Sequence, residues 1–332
     1  MGDRLRATKM VKLIIQIPCL NEAQTLGVAL KALPTEIPGI DNIEVLIIDD
    51  GSTDDTVDVA RKHGVHHVVS HGHNRGLARA FMTGLETALS AGADIIVNTD
   101  ADNQYNADDI SKLVAPILSG ASEIVVGARP ISDIDDFSLI KKLLQRFGSW
   151  VVRKASNTEV ADAPSGFRAM SRDAAQRLNV FSEYTYTLET IIQAGQKGMA
   201  ITSVPIRTNA ELRPSRLVQS IPSYVKRSVL TIIRIFIAYR PLRFFTWIGG
   251  LMFLAGFMIG LRFLYFFMTT DGTGHIQSLV LSSLLISTGF LVLVTGVIAD
   301  LISVNRKLLE QIDWRLKKVE ERLPNTQNTT PD

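Results

Sequence analysis

The 332 residues carry 35 Lys and Arg against 33 Asp and Glu, a formal net charge of +2, and one cysteine, Cys19. That balance supplies no long basic stripe, which argues against a nucleic-acid partner; a lone thiol excludes an intramolecular disulfide and fits a reducing compartment, the cytosol. The hydrophobic fraction is an ordinary 46%, but apolar residues concentrate after about residue 244 while most acidic residues precede residue 190, so two differently solvated parts are expected.

The opening MGDRLRATKM is charged, and the VKLIIQIPCL that follows is broken by Asn21 and Glu22 too soon for a signal-peptide core, so it reads as a first strand. From Val11 to about Ile206 short apolar runs alternate with helical patterns: LIIQIP, a helix from about Ala23, EVLIID, a helix from about Thr53, HHVVS, a helix through ARAFMTGLETAL, and DIIVNTD. This rhythm predicts an α/β fold with a parallel sheet, and the runs at 45–48 and 95–97 are apolar on both faces, as strands covered by helices on both sides should be. Ligands of such sheets bind outside the carboxyl ends of the strands. That rule selects Pro18 to Glu22, Asp49 to Asp55 and Asp100 to Tyr105.

In DADNQY, residues 100–105, Asp100 and Asp102 point the same way from an extended backbone. Such a pair can clamp a hard divalent cation whose shell is completed by diphosphate oxygens and water, as Mg2+ or Mn2+ is held in phosphate chemistry, and Gln104 could add a carbonyl oxygen. The ordinary alternative is that the pair only caps the next helix. Asp50 could accept hydrogen bonds from a base or ribose, with Gly51 turning the chain, or Ser52 and Thr53 could simply cap a helix.

Two apolar stretches, Phe244 to Met268 and Ile276 to Ala299, are each long enough to cross a hydrocarbon core of about 30 Å at about 1.5 Å per residue. A buried hairpin in a soluble core is the alternative. Between residues 213 and 243 stand seven Lys and Arg and no acid, whereas the loop joining the spans has neither Lys nor Arg, so both termini are expected on the cytoplasmic side. The stretch SYVKRSVLTIIRIFIAYRPLR mixes basic and bulky apolar residues at helical spacing and is expected in the headgroup layer. Arg262 is read as a snorkelling residue or a phosphate ligand, and Asp300 as interfacial. After Asp300, Ile302, Asn305, Leu309, Ile312, Leu316, Val319 and Leu323 keep a three-four spacing that suits a docked amphipathic helix or a coiled coil. Residues 324–332 read as a disordered tail.

IPCLNE (17–22), IDDGSTDDT (48–56), HNRGLARAFMTG (73–84) and DADNQY, in this order, resemble the family 2 glycosyltransferases, whose catalytic domain is the nucleotide-sugar-binding α/β fold called GT-A. GAR at 127–129 and SGFRAMSR at 165–172 are similar to the branch that glycosylates polyprenyl phosphates, the dolichol-phosphate mannose synthases and their bacterial relatives, many of which also carry a two-span anchor. The resemblance covers roughly residues 11 to 220; with the residue patterns above it gives the expected division into a GT-A catalytic domain over 11–215, interfacial amphipathic helices over 216–243, two transmembrane helices over 244–302 and a cytoplasmic helical tail with a disordered end over 303–332. It further implies that Pro18, Leu20 and Glu22 line the nucleotide pocket, that Asp50 reads the base, and that Asp100, Asp102 and Gln104 hold Mg2+ or Mn2+. Arg129 would face a phosphate; Lys141 would bind the acceptor phosphate where the family often has Arg; and Arg213 and Arg216 would close over the donor phosphates or belong to a cationic collar at the membrane.

The implied reaction moves a sugar, with inversion, from a nucleotide sugar to a polyprenyl (dolichyl or undecaprenyl) phosphate at the cytoplasmic face of a membrane, the plasma membrane of a prokaryote. A monoester phosphate, with its second pKa near ~6, is largely anionic at neutral pH and needs no base. Glu189 in YTYTLET is therefore expected to be structural, bonding a helix terminus or an Arg. Two rivals stand beside this reading: a polysaccharide synthase, from which the chain departs in having two spans and no Gln-x-x-Arg-Trp signature, and a scaffold that has lost catalysis. Homo-oligomers through the spans or the C-terminal helix are left open.

Overall fold

The computed structural model describes residues 10–130, 153, 156, 158–180, 186–210, 233, 237, 241–270 and 276–320. Two compact units divide the chain, Met1–Lys226 and Arg227–Asp332. Lys141, Arg213 and Arg216 lie outside the described residues.

In the first unit, β1 (Lys12–Cys19), α1 (Leu26–Ala32), β2 (Asn42–Asp49), α2 (Thr56–Lys62), β3 (His67–Ser70), α3 (Leu77–Ser90) and β4 (Ile95–Asn98) follow the expected alternation. Then come α4 (Ile110–Leu118), β5 (Ile124–Ala128), β6 (Arg168–Ser171), α5 (Arg172–Arg177), α6 (Thr187–Gln196) and β7 (Ile201–Pro205). The seven strands lie in the order β3-β2-β1-β4-β6-β5-β7. β1 pairs in parallel with β2 and β4, β2 with β3, and β5 with β7. The expected parallel sheet needs one correction: β6 runs antiparallel to both β4 and β5.

β1 shows why the central strands read as unbroken apolar runs. Leu13, Ile15 and Ile17 enter one hydrophobic core with Leu26, Ile110 and Val114, while Ile14 and Gln16, on the alternate face, are also fully buried. On that face α3 presses close. A Cβ at Gly84 would sit 2.6 Å from Gln16 Oε1 and 2.8 Å from Ile48 Cδ1.

The second unit contains α7 (Pro241–Thr270) and α8 (Ile276–Glu320). Both are long and apolar enough to cross a membrane, with mean hydropathy 1.9 over Pro241–Thr269 and 2.2 over Ile276–Leu316, and most of their large side chains, such as Trp247, Leu251 and Leu291, are exposed. They pack on each other through small residues. A Cβ at Gly249 would meet Gly289 O at 2.8 Å, one at Gly256 would meet Leu285 Cβ at 2.9 Å, and one at Gly296 would meet Phe245 Cβ at 2.7 Å; Ser282 Oγ donates to Gly256 O at 2.7 Å. α8 is one continuous helix of 45 residues that runs through residue 302, where the second span was expected to end, into the expected helical tail. The Arg262 guanidinium lies 5.8 Å from the Phe266 ring centre.

Candidate active site

The loops after β1 and β2 are laced together by short polar side chains. Asn21, in the left-handed region at φ 56, donates its N–H to Ser52 Oγ at 2.9 Å and accepts from Thr53 N–H at 2.8 Å. Glu22 is buried; its N–H donates to Thr56 Oγ1 and its carboxylate accepts from Thr25 Oγ1, both at 2.8 Å. Pro18 is buried at the end of β1 and Leu20 half-buried just beyond it. Burial, with Glu22 and Asp49 nearby, pushes the Cys19 thiol well above its ordinary value, so it is an inert apolar group.

A third loop joins them. Gly51 has φ 79, and a Cβ there would lie 2.6 Å from the His73 carbonyl carbon, so only glycine lets the two backbones meet. Asp50, buried beside it, accepts from Arg75 N–H at 2.9 Å, from Gly76 N–H at 2.8 Å and from His71 Nδ1 at 2.7 Å. Gly76 is the N-cap of α3 and brings no side chain to the task. Asp50 therefore caps α3 from another strand, with its negative charge at the positive end of the helix.

The loop after β4 carries the acidic pair. Asp102 Oδ1 accepts from Gln104 N–H at 3.0 Å, a turn that places Asn103 at φ 57. Asn209, beyond β7, holds this turn: its Nδ2 donates to Asn103 O at 2.9 Å and its N–H donates to Gln104 O at 2.9 Å. Arg207 is anchored in turn on buried Asp109, Nη2 to Oδ1 at 2.8 Å. Against the raising effect of burial, Arg207 and Lys112 hold the Asp109 carboxyl down at about 2.

Asp100 is half-buried and accepts no hydrogen bond from any described residue. Burial, then the charge of Asp102, pushes its carboxyl up to about 7, against the opposing pull of Arg129 and Arg168. A buried polar chain supports it from below. Gln16 Nε2 donates to Asn98 Oδ1 at 2.9 Å, and Asn98 Nδ2 donates to Gly166 O and to Tyr186 Oη, each at 2.9 Å. Gly166 packs closely against Asp100: a Cβ there would sit 3.1 Å from Asp100 Oδ1 and 3.0 Å from Tyr186 Oη, so a side chain would have to displace its neighbours slightly.

The reversal of β6 explains why residues 162–168 reach this place. Arg168 opens β6 opposite Asn98, the last residue of β4. An antiparallel strand brings its amino-terminal loop to the edge where the parallel strands deliver their carboxyl ends. That loop contributes Asp162, which takes Arg129 in a fork, Nε to Oδ2 at 2.7 Å and Nη2 to Oδ1 at 3.1 Å. Burial works against the Arg129 charge, but Tyr105, Asp162 and Asp100 hold its pKa above the ordinary value. Arg168 is fully buried; burial lowers its pKa, Thr187 O accepts from Nη1 at 3.2 Å, and Nε has no partner among the described residues.

The structure thus brings Pro18, Leu20, Glu22, Asp50, Asp100, Asp102, Gln104 and Arg129 to one edge of the sheet. Glu189 is buried in the first turn of α6, within 3.5 Å of Gln193 Nε2. The acidic pair fits a divalent cation on chemical grounds, since Asp100 has no donor among the described residues and its carboxyl is raised by burial and then by the charge of Asp102. No group of three or more His, Cys, Asp or Glu suited to a metal occurs among the described residues, so most of a cation's oxygens would come from elsewhere, as is usual for Mg2+ with phosphates. Sequence reasoning missed His71, Asp162, Arg168 and Asn209 as parts of this edge; a buried Gln16 in an apolar strand and the Asp two residues before Pro164 were the available signals.

The family model described as "Glycosyl transferase family 2" matches residues 14–178. A UDP-N-acetylglucosamine--dolichyl-phosphate N-acetylglucosaminyltransferase of Methanococcus voltae is 33% identical over 227 residues, 61% of this chain and 86% of that protein. Glycosyltransferase AglJ of Haloferax volcanii is 27% identical over 307 residues, 90% and 96% of the two chains. Among solved structures, glucosyl-3-phosphoglycerate synthase from Mycobacterium tuberculosis in complex with phosphoglyceric acid superposes with TM-score 0.55 at 22% identity, over 68% of this chain and 80% of that one. A complex of the same enzyme with Mn2+, uridine-diphosphate and glucosyl-3-phosphoglycerate gives TM-score 0.53 at 20% identity, over 68% and 79%. The GT-A sheet, the acidic pair at its carboxyl edge and these likenesses agree: the chain belongs to glycosyltransferase family 2 and is a glycosyltransferase.

Proposed function

We propose that this glycosyltransferase moves a sugar from a nucleoside-diphosphate donor onto the phosphate of a polyprenyl lipid, with Mg2+ or Mn2+ at Asp100, Asp102 and Gln104. The observation that carries it is the Asp100–Asp102 pair, raised to about 7 at Asp100, beside a forked Arg129. The name of the Methanococcus relative supplies the lipid-phosphate class, the Mycobacterium complex the diphosphate and metal classes, and the apolar hairpin a membrane to hold both.

When bound, the cation would neutralise charge on the diphosphate as it leaves. The chain's own groups do the rest. Glu22 and Asp50 brace the loops where the nucleotide would lie. Arg129, with Nε and one Nη committed to Asp162, keeps its other Nη for a phosphate. The acceptor oxygen, already anionic, attacks the anomeric carbon as its bond to the diphosphate breaks; one displacement inverts that carbon, and no proton moves. Glu189 is buried in the first turn of α6; in this reading it orders that helix and does not act as a base. Lys141, Arg213 and Arg216 are proposed to add charge to the same phosphates. The catalytic unit and both termini are placed on the cytoplasmic side. A cysteine at Thr273, in a Cys19→Ser background, should then react with an impermeant thiol reagent from outside intact cells; labelling only after permeabilisation overturns the topology.

Membranes holding the protein, incubated with radiolabelled nucleotide sugars and extracted with organic solvent, test the activity. Label in the solvent phase supports lipid-phosphate transfer. Insoluble polymer points to a polysaccharide synthase, and no label to a scaffold.

A further inference from the structure

His71 was not among the expected site residues, and the activity proposed above gives it no task. It follows β3 directly, and its side chain is nearly as buried as that of Asp50, 6% against 5% exposed. Its Nδ1 lies 2.7 Å from Asp50 Oδ1 and its Nε2 lies 3.0 Å from Thr83 Oγ1 on α3. An ionised carboxylate can only accept, so Nδ1 carries the proton. In the neutral ring Nε2 then accepts from the Thr83 hydroxyl, and the three side chains form one directed chain from α3 to the end of β2.

Asp50 is a short side chain with three donors on two oxygens: His71 Nδ1 and Arg75 N–H on Oδ1, Gly76 N–H on Oδ2. The two backbone donors belong to a loop whose residues 72–75 are exposed. His71 is the buried donor, fixed from behind by α3. It sets the angle of the carboxylate, and the carboxylate sets the loop. The cost of binding a ligand to a group that must first be ordered is removed when the group is held beforehand.

We infer that His71 is a positioning residue for recognition of the donor nucleotide, acting through Asp50 and the 72–76 loop. This rests on the reading that Asp50 touches the nucleotide, and the test separates the two. Asn at position 71 can place its amide nitrogen near the imidazole Nδ1, while Gln reaches toward the Nε2 position and leaves Asp50 without its donor. Thr83→Val removes the support and keeps the shape.

Binding of UDP, GDP and dTDP is measured by isothermal titration with manganese for the full-length wild type and for His71→Gln, His71→Asn, Thr83→Val and Asp50→Asn, with melting temperature recorded for each. For the diphosphate that the wild type binds, His71→Gln is expected to weaken affinity about tenfold, His71→Asn to stay within about threefold, and Thr83→Val to fall between them. In turnover assays the donor KM should rise in His71→Gln while kcat at saturating donor and the acceptor KM stay within about twofold. Equal affinity for Gln and Asn variants, or losses that follow melting temperature and not the presence of an Asp50 donor, overturn the inference. If Asp50→Asn is weakened and His71→Gln is not, the inference alone fails. If Asp50→Asn binds like wild type, or no diphosphate binds the wild type, the reading of Asp50 fails and the inference with it.

Discussion

Asn209 and Asn103 stand 106 positions apart in the chain, yet the Asn209 amide donates to the Asn103 carbonyl at 2.9 Å, at the middle of the turn between Asp102 and Gln104. The left-handed Asn103, at φ 57, costs about 1 kcal/mol and persists because this contact and the Asp102–Gln104 bond over-determine it. The turn of the acidic pair is thus partly set by a residue after the last strand.

Asn209→Ala should leave the fold intact and relax that turn. Loss of hydrogen bonds to two carbonyls, Asn103 O and the longer contact to Tyr105 O at 3.4 Å, is expected to cost about 1–2 kcal/mol. The expected reading is a several-fold higher manganese concentration for half-maximal thermal stabilisation of the donor-free protein. An unchanged metal titration with an unchanged melting curve would show that the turn holds itself.

Asp102→Ala should fold normally, since its carboxylate is half-buried and its one hydrogen-bond partner among the described residues is the Gln104 N–H, and should lose nearly all transfer. EDTA should reproduce the loss in the wild type, and added Mg2+ or Mn2+ should reverse it. Activity of the variant within a few-fold of wild type would remove the metal assignment.

Arg129→Ala should be far more damaging than Glu189→Gln. The barrier should rise by about 2–4 kcal/mol, roughly a thirty- to thousand-fold loss, when a phosphate ligand goes. Asp162, buried, would lose the guanidinium fork while keeping the residue-129 N–H, so stability should fall by about 1–3 kcal/mol as well. The double variant Arg129→Ala with Asp162→Asn separates the two effects, because it should regain stability without regaining rate per folded molecule. A dead Glu189→Gln beside an active Arg129→Ala would instead call for a protein base and a hydroxyl acceptor.

Asp109 makes the protein acid-sensitive in a defined window. Its folded carboxyl is held at about 2, below the usual value near ~3.9, so the folded state binds the proton less tightly than the unfolded chain. The stabilisation is complete above about pH 4 and is lost as pH falls toward about 2. Urea unfolding should show Asp109→Asn less stable than wild type by about 2 kcal/mol at pH 7, the gap closing on acidification. A gap that is constant with pH would assign the loss to packing.

The central strands were legible because both faces of β1, β2 and β4 are covered, which forces continuous apolar runs ending in polar residues. β6 was not. Its four residues, RAMS, carry no mark of direction, and only the pairing of Asn98 with Arg168 reveals that the 162–168 loop sits at the carboxyl edge. His71 and Asn209 read as ordinary loop residues, since their partners lie far off in the chain. The long α8 was divided at residue 303 because composition turns from apolar to charged there; no Gly or Pro follows Gly296 before Glu320, so nothing interrupts the backbone.

Gly249, Gly256, Gly289 and Gly296 allow α7 and α8 to meet backbone against backbone. A grip of that kind owes little to the exclusion of water; it rests on close van der Waals contact and on the Ser282 bond to Gly256 O. It therefore persists where the surroundings are as oily as the side chains. The contact between α7 and α8 is built from their own backbones, so residues 241–320 grafted behind an unrelated soluble protein should keep it.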